Sequence, residues 1–337
     1  MCRHSVGIFA LVLGLLPAVS TAAEPIAETP TLNQAVRSGW LRFAIVSGRL
    51  IIKGSQVGNI SSNPSGGNER LSIRSVGGKA SLNYELSTAG QQLSIVVGAG
   101  NQAVIRRTPK GDSTLVPVRF EQSPGKPASL TLGAAGRQQT YRAASLWHLM
   151  IARPEECRRH LAPLLELLGP AWKLCSVAEL AEAELLRLAA VGGMPNRSRW
   201  AALVEQLADD RFAKREAADR QLRAAGPAVL SYLQGLDSGR LDAEQQFRIR
   251  RIIVSMSGQV TDDDARQIAS RLVGDRAVWL SLLSRPQQST RRLAARQLSA
   301  LLGEPISFDP AAEPAVRNKQ IEKLRSRILG GAPEGGD

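Results

Sequence analysis

Cysteine, histidine and aromatic residues are scarce in this chain, and each scarcity closes off a class of function. Of 337 residues only three are cysteine and three histidine, and aromatic side chains make up 4%. A four-ligand zinc site would have to use Cys157, His160, Cys175 and His148, whose spacing follows no usual zinc pattern. No Gly-x-Ser-x-Gly elbow, P-loop or dinucleotide glycine fingerprint occurs, and neither His148 nor His160 has an obvious serine or aspartate partner in sequence. Gly98-Ala99-Gly100 lies between two strand patterns and reads as a hairpin turn. The acidic groups Asp209-Asp210 and Asp262-Asp263-Asp264 fall at helix starts, where the helix dipole accounts for them. The expectation is a protein that is not an enzyme and carries no metal or cofactor.

Long apolar runs are missing beyond the first two dozen residues, so no membrane span is expected in the mature chain. Those first residues are different. Arg3 and His4 precede an apolar run from Val6 to Leu16, Pro17 ends it, and Ser20-Thr21-Ala22-Ala23 supplies small residues for cleavage. The run is about 11 residues long, too short for the about 20 that span a bilayer. Residues 1–23 therefore read as a secretory signal peptide, with the mature chain starting near Ala23 or Glu24 in the periplasm, the envelope or the medium. In an oxidising compartment the two remaining cysteines, Cys157 and Cys175, are expected to form a disulfide; two buried thiols are the alternative.

Acidic residues are short in one half only. Residues 31–150 hold 14 Lys and Arg against four acids, a net of +10, while residues 151–337 hold 28 against 24. Arg70, Arg74, Arg106, Arg107, Lys110, Arg119 and Lys126 are candidates for a basic patch that holds an anionic polymer; the alternative is an ordinary solvated strand face. A nucleic-acid platform would interleave aromatics with these cations. The aromatics of this half, Trp40, Phe43, Tyr84, Phe120 and Tyr141, fall mostly at core-facing strand positions, so nucleic acid is not expected.

What is present divides by period. From Trp40 to Arg142, short runs alternate apolar and polar residues between Gly, Asn, Ser and Pro turns: Leu71 and Ile73 flank Ser72, and Leu130 and Leu132 flank Thr131. Period two with frequent turns predicts an antiparallel β-sandwich or barrel-like domain. Asn59 to Asn68 reads as a polar loop. After Ala143 the period becomes helical, punctuated by Pro154, Gly169-Pro170, Gly226-Pro227, Pro286 and Gly303. Asp242 with Gln245 is placed as a capping box. The expected layout is a signal peptide (1–23), a linker (24–36), a β-rich domain (37–143), a helical connector (144–195), an α-helical repeat domain (196–330) and a tail (331–337), an α+β chain with its two classes in separate domains.

The helical part repeats. Arg215, Ala218, Arg220, Gln221 and Leu222 recur at a constant offset of 76 as Arg291, Ala294, Arg296, Gln297 and Leu298, and each copy is followed by a glycine, Gly226 or Gly303. Two units of about 38 residues give that offset, with Phe247–Gly258 as a degenerate middle copy. Asp209, Phe212, Arg215, Ala218, Leu222, Gly226, Val229 and Leu233 together resemble the unit of bacterial secreted HEAT-like helical repeat proteins. The second copy lacks the phenylalanine and its glycine falls one residue late. The resemblance covers about residues 196–330 and implies a HEAT-like stack that contacts proteins and performs no chemistry. The expected function is an exported binding or scaffold protein with a protein partner on its helical surface. The alternatives are a binder of anionic envelope polysaccharide through the β domain and an enzyme with an unrecognised site.

Overall fold

The computed structural model describes residues 29–62, 67–98, 100, 102–191, 197–256 and 261–329; the expected signal peptide and tail lie outside them. Helix α1 (Pro30–Arg37) overlaps the segment expected as a linker, running one residue past it, and is followed by ten strands. Strands β1 (Leu41–Val46) and β2 (Arg49–Ser55) pair as an isolated hairpin. The rest are β3 (Gly58–Ser62), β4 (Asn68–Val76), β5 (Lys79–Ser87), β6 (Gln91–Val97), β7 (Ala103–Pro109), β8 (Val118–Gln122), β9 (Ala128–Leu132) and β10 (Gln139–Ala143). They form one eight-stranded antiparallel sheet in chain order, an open meander with β3 and β10 at its edges among the described residues. Its strands alternate, so Leu71, Tyr84, Ile95, Ile105, Phe120 and Leu130 line one buried face, while the other face is polar.

Part of the expected loop is a strand. Asn59 to Ser62 pair with β4, Ile60 standing opposite Leu71. Composition hid this because an edge strand of Gly, Asn and Ser is held by backbone pairing, with one apolar residue to mark it.

The inner face of the sheet is covered by α1, by the β1–β2 hairpin and by the first helices of the chain's second half. Two of these covers, α1 and the hairpin, are each fastened by a polar side chain that leaves the sheet pointing inward. The buried carboxylate of Glu69 on β4 accepts from the N–H groups of Thr31 (2.9 Å) and Leu32 (3.1 Å), capping α1, and from the Tyr84 hydroxyl (2.8 Å). Gln122 on β8 uses its amide as a backbone substitute, donating to Leu50 O (2.6 Å) and accepting from Leu50 N (3.0 Å).

The helical half begins with α2 (Leu146–Ala152), α3 (Pro154–Glu156), a π-helical turn (Cys157–Leu161) and α4 (Ala162–Glu166). It continues with α5 (Leu174–Val191), α6 (Arg197–Gln206), α7 (Phe212–Ala224), α8 (Leu230–Gln234) and α9 (Ala243–Met256). The last helices are α10 (Ala265–Leu272), α11 (Arg276–Leu282), α12 (Gln288–Leu302) and α13 (Pro314–Leu329). The capping box forms reciprocally, Asp242 N to Gln245 Oε1 (2.9 Å) and Gln245 N to Asp242 Oδ1 (2.7 Å). Two hydrophobic cores result. One is continuous from the inner sheet face through α2, α5 and α10–α13; the other, around Trp200, Leu222, Leu233 and Ile252, belongs to α6–α9.

The segments related by the offset of 76 adopt the same local structure. The Arg215 guanidinium donates to Asp209 O (2.8 Å) and Asp210 O (3.1 Å), and Arg291 donates to Arg285 O (2.8 Å) and Pro286 O (2.6 Å). In both, the arginine ties down the carbonyls of the loop that enters its own helix. Ala218 and Ala294, and Leu222 and Leu298, are fully buried, and Gly226 (φ +70°) and Gly303 (φ +75°) both take the left-handed conformation that ends the helix. Their neighbours differ: α7 packs between α6 and α9, whereas α12 packs on α5 and α11.

Candidate functional site

The β and helical halves are joined at the tip of the β1–β2 hairpin. Ser47 (φ +51°) and Gly48 (φ +68°) make the turn, and a Cβ on Gly48 would lie 2.4 Å from Ser145 Oγ, so only glycine fits. Into this turn comes Asp262, whose carboxylate is fully buried. It accepts from Ser47 N (3.2 Å), Gly48 N (2.6 Å) and Trp147 Nε1 (2.8 Å), and it pairs with Arg271. Thr261 and Asp262 also continue the hairpin as a short antiparallel bridge, with Asp262 N donating to Ile45 O (2.8 Å). Of the acidic triplet, Asp264 alone caps α10, accepting from Arg266 N (2.9 Å). Asp262 is therefore a structural tie, a role that its position near a helix start conceals.

Beside the tie stands a serine–histidine–aspartate line that sequence reading did not find. Ser145 Oγ lies 2.8 Å from His148 Nδ1, and His148 Nε2 lies 3.1 Å from Asp275 Oδ2. Ser145 stands three residues before His148, which was the available signal; Asp275 gave none. Burial alone would raise the Asp275 carboxyl, but the His148 imidazole and the Ala277 N–H hold it below the usual range. The geometry is that of a brace: Ser145 and Asp275 occupy the N-cap positions of α2 and α11, and the imidazole spans the two helix starts. The adjoining cavity is walled by His148 but not by Ser145 or Asp275.

That cavity, about 390 Å³, lies where β10, α2, α11 and α13 meet. Leu149, Val278, Leu280 and Ile321 are among its apolar lining residues, and Arg153, Arg325, Glu322 and Asn318 among its polar ones.

The other expected sites scatter. Cys157 and Cys175 are both free thiols, which corrects the expected bridge. Cys157 is packed in the core, and burial pushes its thiol well above the ordinary range; burial also raises Cys175. His160 is buried in the π-helical turn, and burial followed by the nearby Arg107 charge lowers it to about 4. Among the described residues no group of three or more His, Cys, Asp or Glu side chains is placed to hold a metal ion, and no helix is long and apolar enough to cross a membrane.

Of the basic-patch candidates, Arg70, Arg74, Arg106 and Arg119 are exposed on the outer sheet face. Arg119, Arg106, Ser94, Glu85 and Arg70 stand in one row across five strands, with Arg106 directly opposite Arg119. Arg119 is paired with Glu121 on its own strand. Arg107 leaves the patch: period two turns it inward, where it is buried, donates to Val116 O (3.0 Å) and is lowered to about 10 by burial. Lys110 reaches Ser87 Oγ (2.7 Å) at one end of the sheet, and Lys126 sits in the β8–β9 turn. The seven candidates do not converge.

A furrow on the helical arm does bring chemistry together. Helices α7 and α9 run side by side in the same direction, linked by Arg215–Glu244 (3.6 Å), Arg248–Glu216 (2.7 Å) and an Arg223–Ser255 hydrogen bond. Glu216, Asp219 and Arg223 face Phe247, Arg250, Arg251 and Val254 across it. Phe212, one turn before Glu216, is 64% exposed, Phe247 is 52% exposed and Val254 is 74% exposed. Guanidinium groups lie over both rings, Arg215 at 5.7 Å from Phe212 and Arg251 at 5.7 Å from Phe247.

Comparison with protein-family models, with curated proteins and with solved structures yields no match.

Proposed function

We propose that this protein is an exported, non-catalytic scaffold whose HEAT-like helical arm holds a protein partner in the furrow between α7 and α9. The observation that carries the reading is the exposure of Phe212, Phe247 and Val254 beside arginines. Single exposed apolar residues are ordinary, but several on one furrow mark a contact surface, and aromatic and arginine side chains dominate binding energy where they occur. The sign of the partner follows. Glu216, Glu244 and Asp219 are spent on Arg248 and Arg223, whereas Arg250 and Arg251 have no ion-pair partner among the described residues. An acidic segment with an apolar anchor fits this balance.

The equivalent arginine ties of Arg215 and Arg291 support the repeat reading, and the Val6–Leu16 run with its cleavage residues supports export. The test is capture from an envelope fraction by the whole mature chain and by a Phe247→Ala, Arg251→Ala variant of unchanged stability. A partner retained equally by both refutes the furrow.

A second reading rests on the exposed arginines of the outer sheet face, Arg70, Arg74 and Arg106, which have no ion pair among the described residues, with Arg106 opposite the Glu121-paired Arg119. It makes the outer sheet face a site for acidic envelope polysaccharide. It predicts retention on such a polymer that Arg106→Ser abolishes and salt of about 0.5 M releases.

A further inference from the structure

We propose that the cavity between β10, α2, α11 and α13 binds a small monocarboxylate with an apolar body. The volume, about 390 Å³, falls in the range of about 300–1,000 Å³ usual for small-molecule sites. Its lining combines apolar and charged side chains. Leu149, Val278, Leu280 and Ile321 offer buried apolar surface, with Ala152 and Ala277 leaving room between them.

Charge decides the head group. Arg325 pairs with Glu322 (2.7 Å), and Arg142 lies at the exposed edge of the sheet. Arg153 makes no ion pair among the described residues; its guanidinium rests 4.7 Å above the Tyr141 ring. The ring holds the fork in place without neutralising it, and a fixed guanidinium matches a carboxylate through two parallel hydrogen bonds. Arg153, uncompensated beside apolar side chains, suits a carboxylate with a hydrocarbon body; Arg142, also without an ion pair among the described residues, is exposed to solvent. A bare anion would leave the apolar side chains wet, and a cationic amphiphile would meet Arg153. His148 shapes the wall without supplying a donor, because Ser145 and Asp275 engage both ring nitrogens.

Decanoate is the probe, titrated calorimetrically into the full mature chain below its aggregation limit. Decyltrimethylammonium supplies the same tail with the opposite charge, and acetate the head without a tail. A single saturable decanoate site is expected, with both controls at least tenfold weaker. Arg153→Gln is expected to weaken decanoate at least tenfold while the thermal midpoint stays unchanged. Ala277→Leu, which fills the cavity and leaves every charge in place, is expected to do the same, and it carries the test alone should Arg153→Gln fail to fold. Absence of saturable decanoate binding, equal binding of decyltrimethylammonium, or decanoate affinity untouched by Ala277→Leu overturns the proposal.

Discussion

Replacing Asp262 with alanine is expected to remove about 4 kcal/mol of folding stability. The figure follows from what the carboxylate holds. Its pair with Arg271 is shielded, the carboxylate fully and the guanidinium with 12% of its side chain exposed, and removing one partner of such a pair costs about 3–5 kcal/mol. The N–H groups of Ser47, Gly48 and Trp147 also lose their acceptor, at about 1–3 kcal/mol each if nothing relaxes. These losses share one network and do not add, because a water entering the vacated space satisfies several donors at once. Asp262→Asn keeps one acceptor oxygen but sets an NH2 donor against the donors that the other oxygen served, so it should recover only part of the loss. Against a usual total of about 5–15 kcal/mol, the alanine variant sits near the edge of folding. Urea denaturation followed by tryptophan fluorescence reads the change directly, since Trp147 belongs to the network, and circular dichroism checks that one transition is seen. Arg271→Met should be nearly neutral in the alanine background and costly in the parent. A loss below about 1 kcal/mol for Asp262→Ala, or equal costs for Arg271→Met in both backgrounds, would falsify the tie.

Gly48→Ala combines a positive φ with a clash against Ser145 Oγ, and should cost about 1–3 kcal/mol by the same denaturation assay. Glu69→Gln should loosen α1 and cost about 1–2 kcal/mol at neutral pH. Burial alone would raise the Glu69 carboxyl, but its bonds from Thr31, Leu32 and Tyr84 hold it below the usual range. Its contribution is therefore present above the unfolded pKa and is lost as pH falls through the folded one, so parent and variant should converge in acid. For His160 the unfolded imidazole binds a proton near pH 6.5 and the folded one only near about 4, so acid favours the unfolded chain across that window. Stability measured between those values should fall in the parent and stay flatter in His160→Gln. Arg291→Met should destabilise by about 2–3 kcal/mol and Arg215→Met by less, since Arg291 is buried and also holds Pro310 O (2.8 Å); thermal midpoints give the order.

The strands were largely legible in the sequence, because alternation is a local property and each strand of the meander pairs with its chain neighbours. Leu71, Ile73, Tyr84 and Leu86 announce their face without reference to anything distant. The same periodicity sends Arg107 inward beside Arg106, a consequence available from the alternation and overlooked in grouping the charges. Helix starts at Asp242 and Asp264 were legible for the same local reason. The sites were not. Asp262 acts on Ser47 and Gly48 from 215 and 214 positions away, and Asp275 meets His148 across 127. The furrow was half visible: Phe212 stood in the repeat unit, but whether a phenylalanine there points into the stack or out of it depends on the neighbouring helix, which sequence spacing leaves open. Whether Cys157 and Cys175 meet is set by packing across the fold, which spacing and compartment leave open.

The hairpin tip carries a consequence for how the chain is made. A ribosome delivers Ser47 and Gly48 long before Asp262, and in that interval the turn lacks its acceptor, Trp147 its hydrogen-bond partner, and the first core the faces of α10–α13. Contacts this far apart along the chain form slowly and only after the intervening segment exists. What waits, until nearly four-fifths of the protein has emerged, is therefore the joint between the halves: α1, the hairpin and the first helices can already cover the sheet, while the hairpin tip and Trp147 stay unfastened. A truncation before Asp262 leaves the surfaces of α2 and α5 that α10–α12 would cover open to other chains, and aggregation is the natural fate of such a fragment.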